Sequence, residues 1–160
     1  MHGSRAIFDL SVIADDGIVR FVRYWLEKRE GRRFPSRASL DPLEFDYVLG
    51  DIALIDAQRP PPGALLRWHF RYRLVGTNLV MRDGYDLTGK TLEDLPEPEY
   101  REQIRVTWTK VCETGEPVHR LRDFRLDNRI RRYEAVVLPL AGDGESVDML
   151  VSVQRHLRVP

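Results

Sequence analysis

Gly84, Gly89, Lys90 and Thr91 stand at the spacing G-x-x-x-x-G-K-[ST], the one segment of this 160-residue chain whose residue types match a signature for nucleotide chemistry. Such a loop cradles phosphates with backbone N–H groups, a lysine and the N-terminus of a following helix. The neighbours argue against that reading. The loop interior is Tyr85-Asp86-Leu87-Thr88, so Asp86 would set a negative charge against the phosphates. Met81-Arg82-Asp83 is no buried strand ending, and Pro96 cuts any helix after Lys90 within about six residues. The spacing reads as coincidence, and Lys90 as a surface residue. Other chemistry is thinner. His69 and His119 can meet across neighbouring strands, but no acid or cysteine stands with them, so no metal site is expected. No serine lies in a nucleophile elbow, and no catalytic residue is assigned. A small cone-shaped α+β enzyme with Tyr133 or Asp123 as acid or base is the alternative, weakened because no polar set converges in one segment.

Composition narrows the classes further. The chain carries 25 cationic and 25 anionic side chains, so no overall field draws it to nucleic acid or an acidic membrane. No run approaches the roughly 20 apolar residues of a membrane span, and no basic-then-apolar leader opens the chain. One cysteine, Cys112, excludes an internal disulfide framework and suits a reducing cytoplasm. The expected protein is a cytoplasmic globular domain.

The elements follow from hydrophobic period. Residues 1–14 read as a loosely held arm. Ile18, Phe21, Val22, Trp25 and Leu26 then recur on one helical face, with Asp15 or Asp16 as cap and Gly31 as stop. Asp41-Pro42-Leu43-Glu44 predicts a second helix running to about Leu49. Ile52 to Ile55 is a short strand, and Leu66, Trp68, Phe70, Tyr72 and Leu74 alternate with Arg67, His69, Arg71 and Arg73 in another. Gly76, Gly84 and Gly89 punctuate single helical turns. Helical period returns over 98–114 through Tyr100, Ile104, Trp108, Val111 and Cys112, and three strands close the chain near 117–127, 130–140 and 146–157. Hairpin-length links between those strands predict an α+β fold with an antiparallel sheet.

This order, with Asn78 after the second strand, then Gly84-Tyr85, then Thr88-Gly89-Lys90 before Leu92 and Leu95, resembles the PAS domain, a small sensor and interaction fold. More narrowly, Trp25, the Pro35-Ser36-Arg37 segment and Asp41-Pro42 look like stand-alone bacterial PAS proteins, mostly alphaproteobacterial. The resemblance implies a five-stranded antiparallel sheet, with short helices and one long helix on one face enclosing a cleft. It divides the chain into an N-terminal helical extension, 1–50, and a PAS domain, 51–160. Asn78, Gly84, Tyr85, Gly89 and Lys90 then become fold signatures rather than phosphate ligands.

PAS domains hold haem, flavin, small organic ligands or nothing. No histidine lies on the 98–114 helix to ligate haem, and no cysteine lies between Gly76 and Gly84 for flavin photochemistry, so no cofactor is predicted and an unidentified small ligand stays open. Leu79, Met81, Trp108, Cys112, Phe124 and Tyr133 are the expected pocket lining, or simply core filling. Arg71, Arg73 and Arg125 with His69 make a candidate anion stripe on the outer sheet face, or a solvated face paired with Asp123 and Glu134. The apolar stripe Ile18, Phe21, Val22, Trp25 and Leu26 must bury, and a homodimer through it is expected. No output segment follows Pro160, so signals are expected to pass through a partner, by resemblance a signalling protein such as a histidine kinase. A ligand-free dimerisation module is the remaining alternative.

Overall fold

The protein is described by a computed structural model, which covers residues 8–63, 67–126 and 128–157, without the side chains of 124–126. Five strands form one sheet: β1 (Ile52–Gln58), β2 (His69–Val75), β3 (Val118–Leu126), β4 (Arg129–Leu140) and β5 (Met149–Leu157). They lie in the order β2-β1-β5-β4-β3, with every neighbouring pair antiparallel. The connection from β2 to β3 carries α2 (Thr77–Asp83), a 3-10 turn at Leu92–Asp94 and α3 (Pro98–Thr114). Pro98 starts α3 at its first position and left-handed Gly115 ends it, as the sequence predicts.

Strand alternation sends side chains to two faces. On one face Phe70 and Tyr72 pack edge-on against Trp108 of α3, with centroids 5.3 and 5.6 Å away. On the other lies α1 (Asp16–Lys28), whose Trp25 donates its indole N–H to the Pro139 carbonyl at 2.9 Å. Both faces of β4 are covered, and every residue from Tyr133 to Leu140 is buried.

That placement corrects the expected role of α1. Its stripe of Ile18, Phe21, Val22 and Trp25 is buried against its own sheet, in one hydrophobic core with β1, β4 and β5. Each such side chain contributes about 1.5–3 kcal/mol by leaving water, so the stripe is spent within the chain and does not serve a second copy. Leu26 alone of the set remains exposed at 36 %. The extension and the sheet therefore share a core, with no boundary at residue 50 that burial recognises.

Three local expectations also change. The helix predicted over 41–49 is two 3-10 turns, Pro42–Glu44 and Asp46–Asp51, although Asp41 still caps the first by accepting from the Leu43 N–H. Phe45 breaks the continuity: it leaves helical geometry to pack against Phe21 at 5.4 Å. The arm is docked from residue 9, with Asp9 capping a short turn at Leu10–Val12 and Ala14 bonded to Glu134. Leu66 of the predicted second strand lies outside the described residues, and β2 begins at His69.

The phosphate-loop spacing is resolved by backbone pairing. Gly89 donates its N–H to the Tyr72 carbonyl at 2.7 Å, and Tyr72 donates to the Lys90 carbonyl at 2.8 Å. Residues 89–91 thus cover the free edge of β2, with an Arg71–Thr91 bridge beside them. Thr91 and Asp94 form a capping box on the following turn, which has only three residues. Lys90 is exposed, as its surface assignment requires.

Candidate functional site

The cleft lies between the β2-β1-β5-β4 surface and the α2–α3 connection. Its apolar walls are Tyr72, Val75, Leu79, Leu87, Leu95, Ile104 and Trp108, and they close around a cavity of about 30 Å³. That is room for about one water molecule. The two ends of α2 are held differently. At its N-terminal end Gly76 donates to the Ile52 carbonyl at 2.7 Å, and a Cβ there would overlap the Gly50 carbonyl oxygen, so the approach requires glycine. At its C-terminal end Gly84 turns left-handed, φ 81°, with open space around it.

A polar set caps this apolar space. Arg82 at the end of α2 is 16 % exposed and forks its guanidinium onto Asp83, Nε to Oδ1 at 2.8 Å and Nη2 to Oδ2 at 3.2 Å. Its Nη1 donates to Gln154 Oε1 of β5 at 2.6 Å, and the guanidinium carbon sits 4.6 Å over the Tyr133 ring. The Tyr100 and Tyr133 hydroxyls are 2.6 Å apart, and Tyr85 donates to Glu97 at 3.3 Å. Burial is the main cause that raises the pKa of Tyr72, Tyr85, Tyr100 and Tyr133, so these phenols are neutral donors. Burial opposes the Arg82 charge, but hydrogen bonding and attraction to Asp83 outweigh it and hold the cation.

The structure divides the expected pocket residues. Leu79 and Trp108 line the cavity, and Tyr133 reaches it through Tyr100. Met81 does not belong there: it is 81 % exposed, because two residues along a helix from inward-facing Leu79 turn it to the opposite side. Cys112 is buried one turn beyond Trp108 and outside the cavity, its thiol pushed up to about 12 chiefly by burial. The Phe124 side chain lies outside the described residues. Sequence reasoning passed over Arg82, Asp83 and Gln154 because charged and amide residues read as surface. The one usable hint was Tyr100, whose phenol sits in the apolar stripe of α3.

Asn78 is a joint rather than a wall, donating to Asp51 Oδ1 at 3.2 Å. Asp51 in turn accepts from Arg155 Nη1 at 2.8 Å, and Arg155 Nε donates to Asp15 Oδ2 at 3.3 Å. Asp15 caps α1 through the Ile18 N–H, and its own N–H bonds fully buried Glu134. The connection runs from α2 to the start of α1.

The remaining candidates do not assemble. β2 and β3 are opposite edges of the sheet, so His69 and His119 cannot meet; His119 instead pairs with Glu134 at 2.7 Å. Arg71 and Arg73 are likewise separated from Arg125, whose side chain lies outside the described residues. Arg73 pairs with Asp56, and Arg71 donates to the Gly89 carbonyl. Asp123 pairs with Arg132 on the outer face while Tyr133 faces α3, so no acid–base pair forms. Among the described residues no group of three metal-binding side chains occurs.

Comparison with known proteins agrees with this geometry. The family described as PAS domain matches residues 15–153, which takes in α1 as well as the sheet. The PAS domain of BvgS from Bordetella pertussis is similar at 20% identity and a TM-score of 0.52, over 75% of this chain and 89% of that one. VqmA from Vibrio cholerae is similar at 13% identity and TM-score 0.50, over 74% of this chain and 52% of that one. A structure of VqmA bound to DPO gives 13% and 0.50, over 68% and 54%. The chain thus spans about half the length of VqmA. No curated protein sequence matches it. Sheet order, helical crossover and a family match over nearly the whole described chain lead to one conclusion: this chain belongs to the PAS domain family.

Proposed function

We propose that this PAS domain is a non-catalytic sensory module in which a small molecule enters the cleft beneath α2 and a protein partner reads the change in helix packing. The carrying observation is the polar set over an apolar cleft. A cleft that only filled a core would hold aliphatic groups, since a buried cation and paired phenols cost desolvation that burial does not return. Here Arg82, Gln154 and the Tyr100–Tyr133 pair converge on one small space beside a helix whose first end is fixed by backbone contact at Gly76 and whose last turn is tied to the sheet through the Arg82 side chain. That VqmA, which shares the fold, is described bound to DPO supports occupancy of such a domain by a small molecule.

Neither haem nor flavin is the expected occupant. α3 offers no histidine, the segment from Gly76 to Gly84 offers no cysteine, and side chains fill the space either group would take. Output passes by protein contact, to a second copy or to a signalling protein such as a histidine kinase. With the α1 stripe spent, a second copy has the outer face near Leu121 and Ile130, which are 56% and 64% exposed. The described residues hold no helix long and apolar enough to cross a membrane, and we place the domain in the cytoplasm.

Native mass spectrometry after incubation with a small-molecule cell extract tests the reading. A discrete added mass that a bulky substitution at Leu79, such as Leu79→Trp, removes is the expected result. A bare protein mass under those conditions contradicts it.

A further inference from the structure

We propose that the cleft selects compact monocarboxylic acids, the ligand carboxylate taking the fork of Arg82 that Asp83 now occupies. The inference rests on the reading of the cleft as a ligand site and adds to it the chemistry of the occupant.

Three observations carry it. Arg82 is the one cation lining the cavity among the described residues, and a planar guanidinium binds a carboxylate through two parallel N–H donors. Asp83 already fills that fork, so the site is shaped for this group. Asp83 is also a poor permanent partner. It is the last residue of α2, where the helix dipole disfavours a negative charge, while Arg82 is favoured there. Its side chain is 26% exposed, against 16% for Arg82, so it has a path to water when displaced.

The rest of the lining sets the body of the ligand. Trp108, Tyr72, Leu79 and Ile104 accept an apolar or aromatic group, and the neutral phenols offer donors without adding charge. The closed volume of about 30 Å³ requires α2 to swing outward about its fixed Gly76 end. This favours small ring or branched-chain acids over extended ones. Arg82 and Asp83 are neighbours on α2 and move together, so the bond that outward movement breaks is Arg82 Nη1 to Gln154 Oε1, while the carboxylate exchange occurs on the helix itself.

The test compares benzoate and 4-methylpentanoate with benzamide and 4-methylpentanamide, following the Trp108 indole N–H by NMR titration. The acids should bind at least about tenfold more tightly than their amides, as a charge-assisted pair requires. Asp83→Asn removes the competing charge and should tighten the acids several-fold relative to the amides. Arg82→Gln should erase the preference. Equal binding of acid and amide, or no tightening in Asp83→Asn, overturns the carboxylate assignment and leaves the ligand site standing. If none of the four probes moves the Trp108 signal in wild type or Asp83→Asn, the ligand site itself fails. Circular dichroism of each variant confirms folding, and Asp83→Asn keeps the test decisive should Arg82→Gln unfold.

Discussion

Replacing Glu134 by alanine removes the acceptor on which the entry of α1 depends. Its two carboxylate oxygens accept the Ala14 and Asp15 N–H groups, each at 2.8 Å, and Oε2 lies 2.7 Å from His119 Nε2. The side chain is fully buried, so water does not replace it when it is cut back. Hydrogen bonds to a charged group contribute about 1.5–3 kcal/mol each, but three at one carboxylate are not additive. A buried donor left without its acceptor costs about 1–3 kcal/mol, so with the Ala14 and Asp15 amides both stranded about 4 kcal/mol is the expected loss here. For a chain of this size that lowers Tm by roughly 8–16 °C. Glu134→Gln keeps one acceptor oxygen but turns an amide N–H toward the second donor, so about 2 kcal/mol is expected. His119→Ala breaks one bond and should cost least. Urea denaturation supplies the three values, and hydrogen exchange at Ala14, Asp15 and Ile18 supplies the local effect. A loss below about 1 kcal/mol in Glu134→Ala, or unchanged exchange at those amides, would refute the role of Glu134 as the anchor of α1.

Other outcomes follow from neighbouring contacts. Trp25→Ala should destabilise by about 3–5 kcal/mol in urea while leaving the elution volume of the folded protein unchanged, because Trp25 packs within its own chain. A shift to smaller species without loss of stability would restore the helix-mediated dimer. Gly76→Ala sets a Cβ into the Gly50 carbonyl and should cost at least about 2 kcal/mol, read in the same titration. All six tyrosines have pKa values raised by burial, Tyr24 to about 12. The folded state therefore holds phenol protons that the unfolded chain releases. This stabilisation is complete below about pH 10 and is lost as pH rises through the folded values. Phenolate absorbance at 295 nm should rise together with unfolding; a gradual rise near pH 10 in folded protein would contradict it. Cys112, with its thiol pushed up to about 12, should resist iodoacetamide at pH 8 until the chain unfolds.

Periodic features were legible in the sequence. α3 runs over the predicted 98–114, and β2, β3, β4 and β5 fall within a few residues of their alternating or apolar runs. Glycine positions marked the turns, since φ values such as that of Gly84 are local requirements. What stayed hidden depends on partners far along the chain. The apolar stripe of α1 is the same whether it meets a second copy or β4, and only the Trp25–Pro139 contact decides. Glu134 reads as a strand surface residue until the amides of residues 14 and 15, about 120 positions away, are brought onto it. Phe45 broke a well-capped helix because the ring of Phe21 offered more than a continued hydrogen-bond ladder. Within the cleft, Leu79 and Trp108 followed from periodicity, whereas Arg82 and Gln154 come together through a 2.6 Å bond between α2 and β5 that no local pattern announces.

To admit a small molecule, the sealed cleft must open at the Gly84 end of α2. Native-state hydrogen exchange tests it without any ligand. The amides of Val80 to Leu87 should exchange through a local opening at least about a hundredfold faster than those of β4 and β5, which should open only with the whole fold. If α2 and the central strands exchange with one common opening free energy, the cleft is core and the sensing account is wrong.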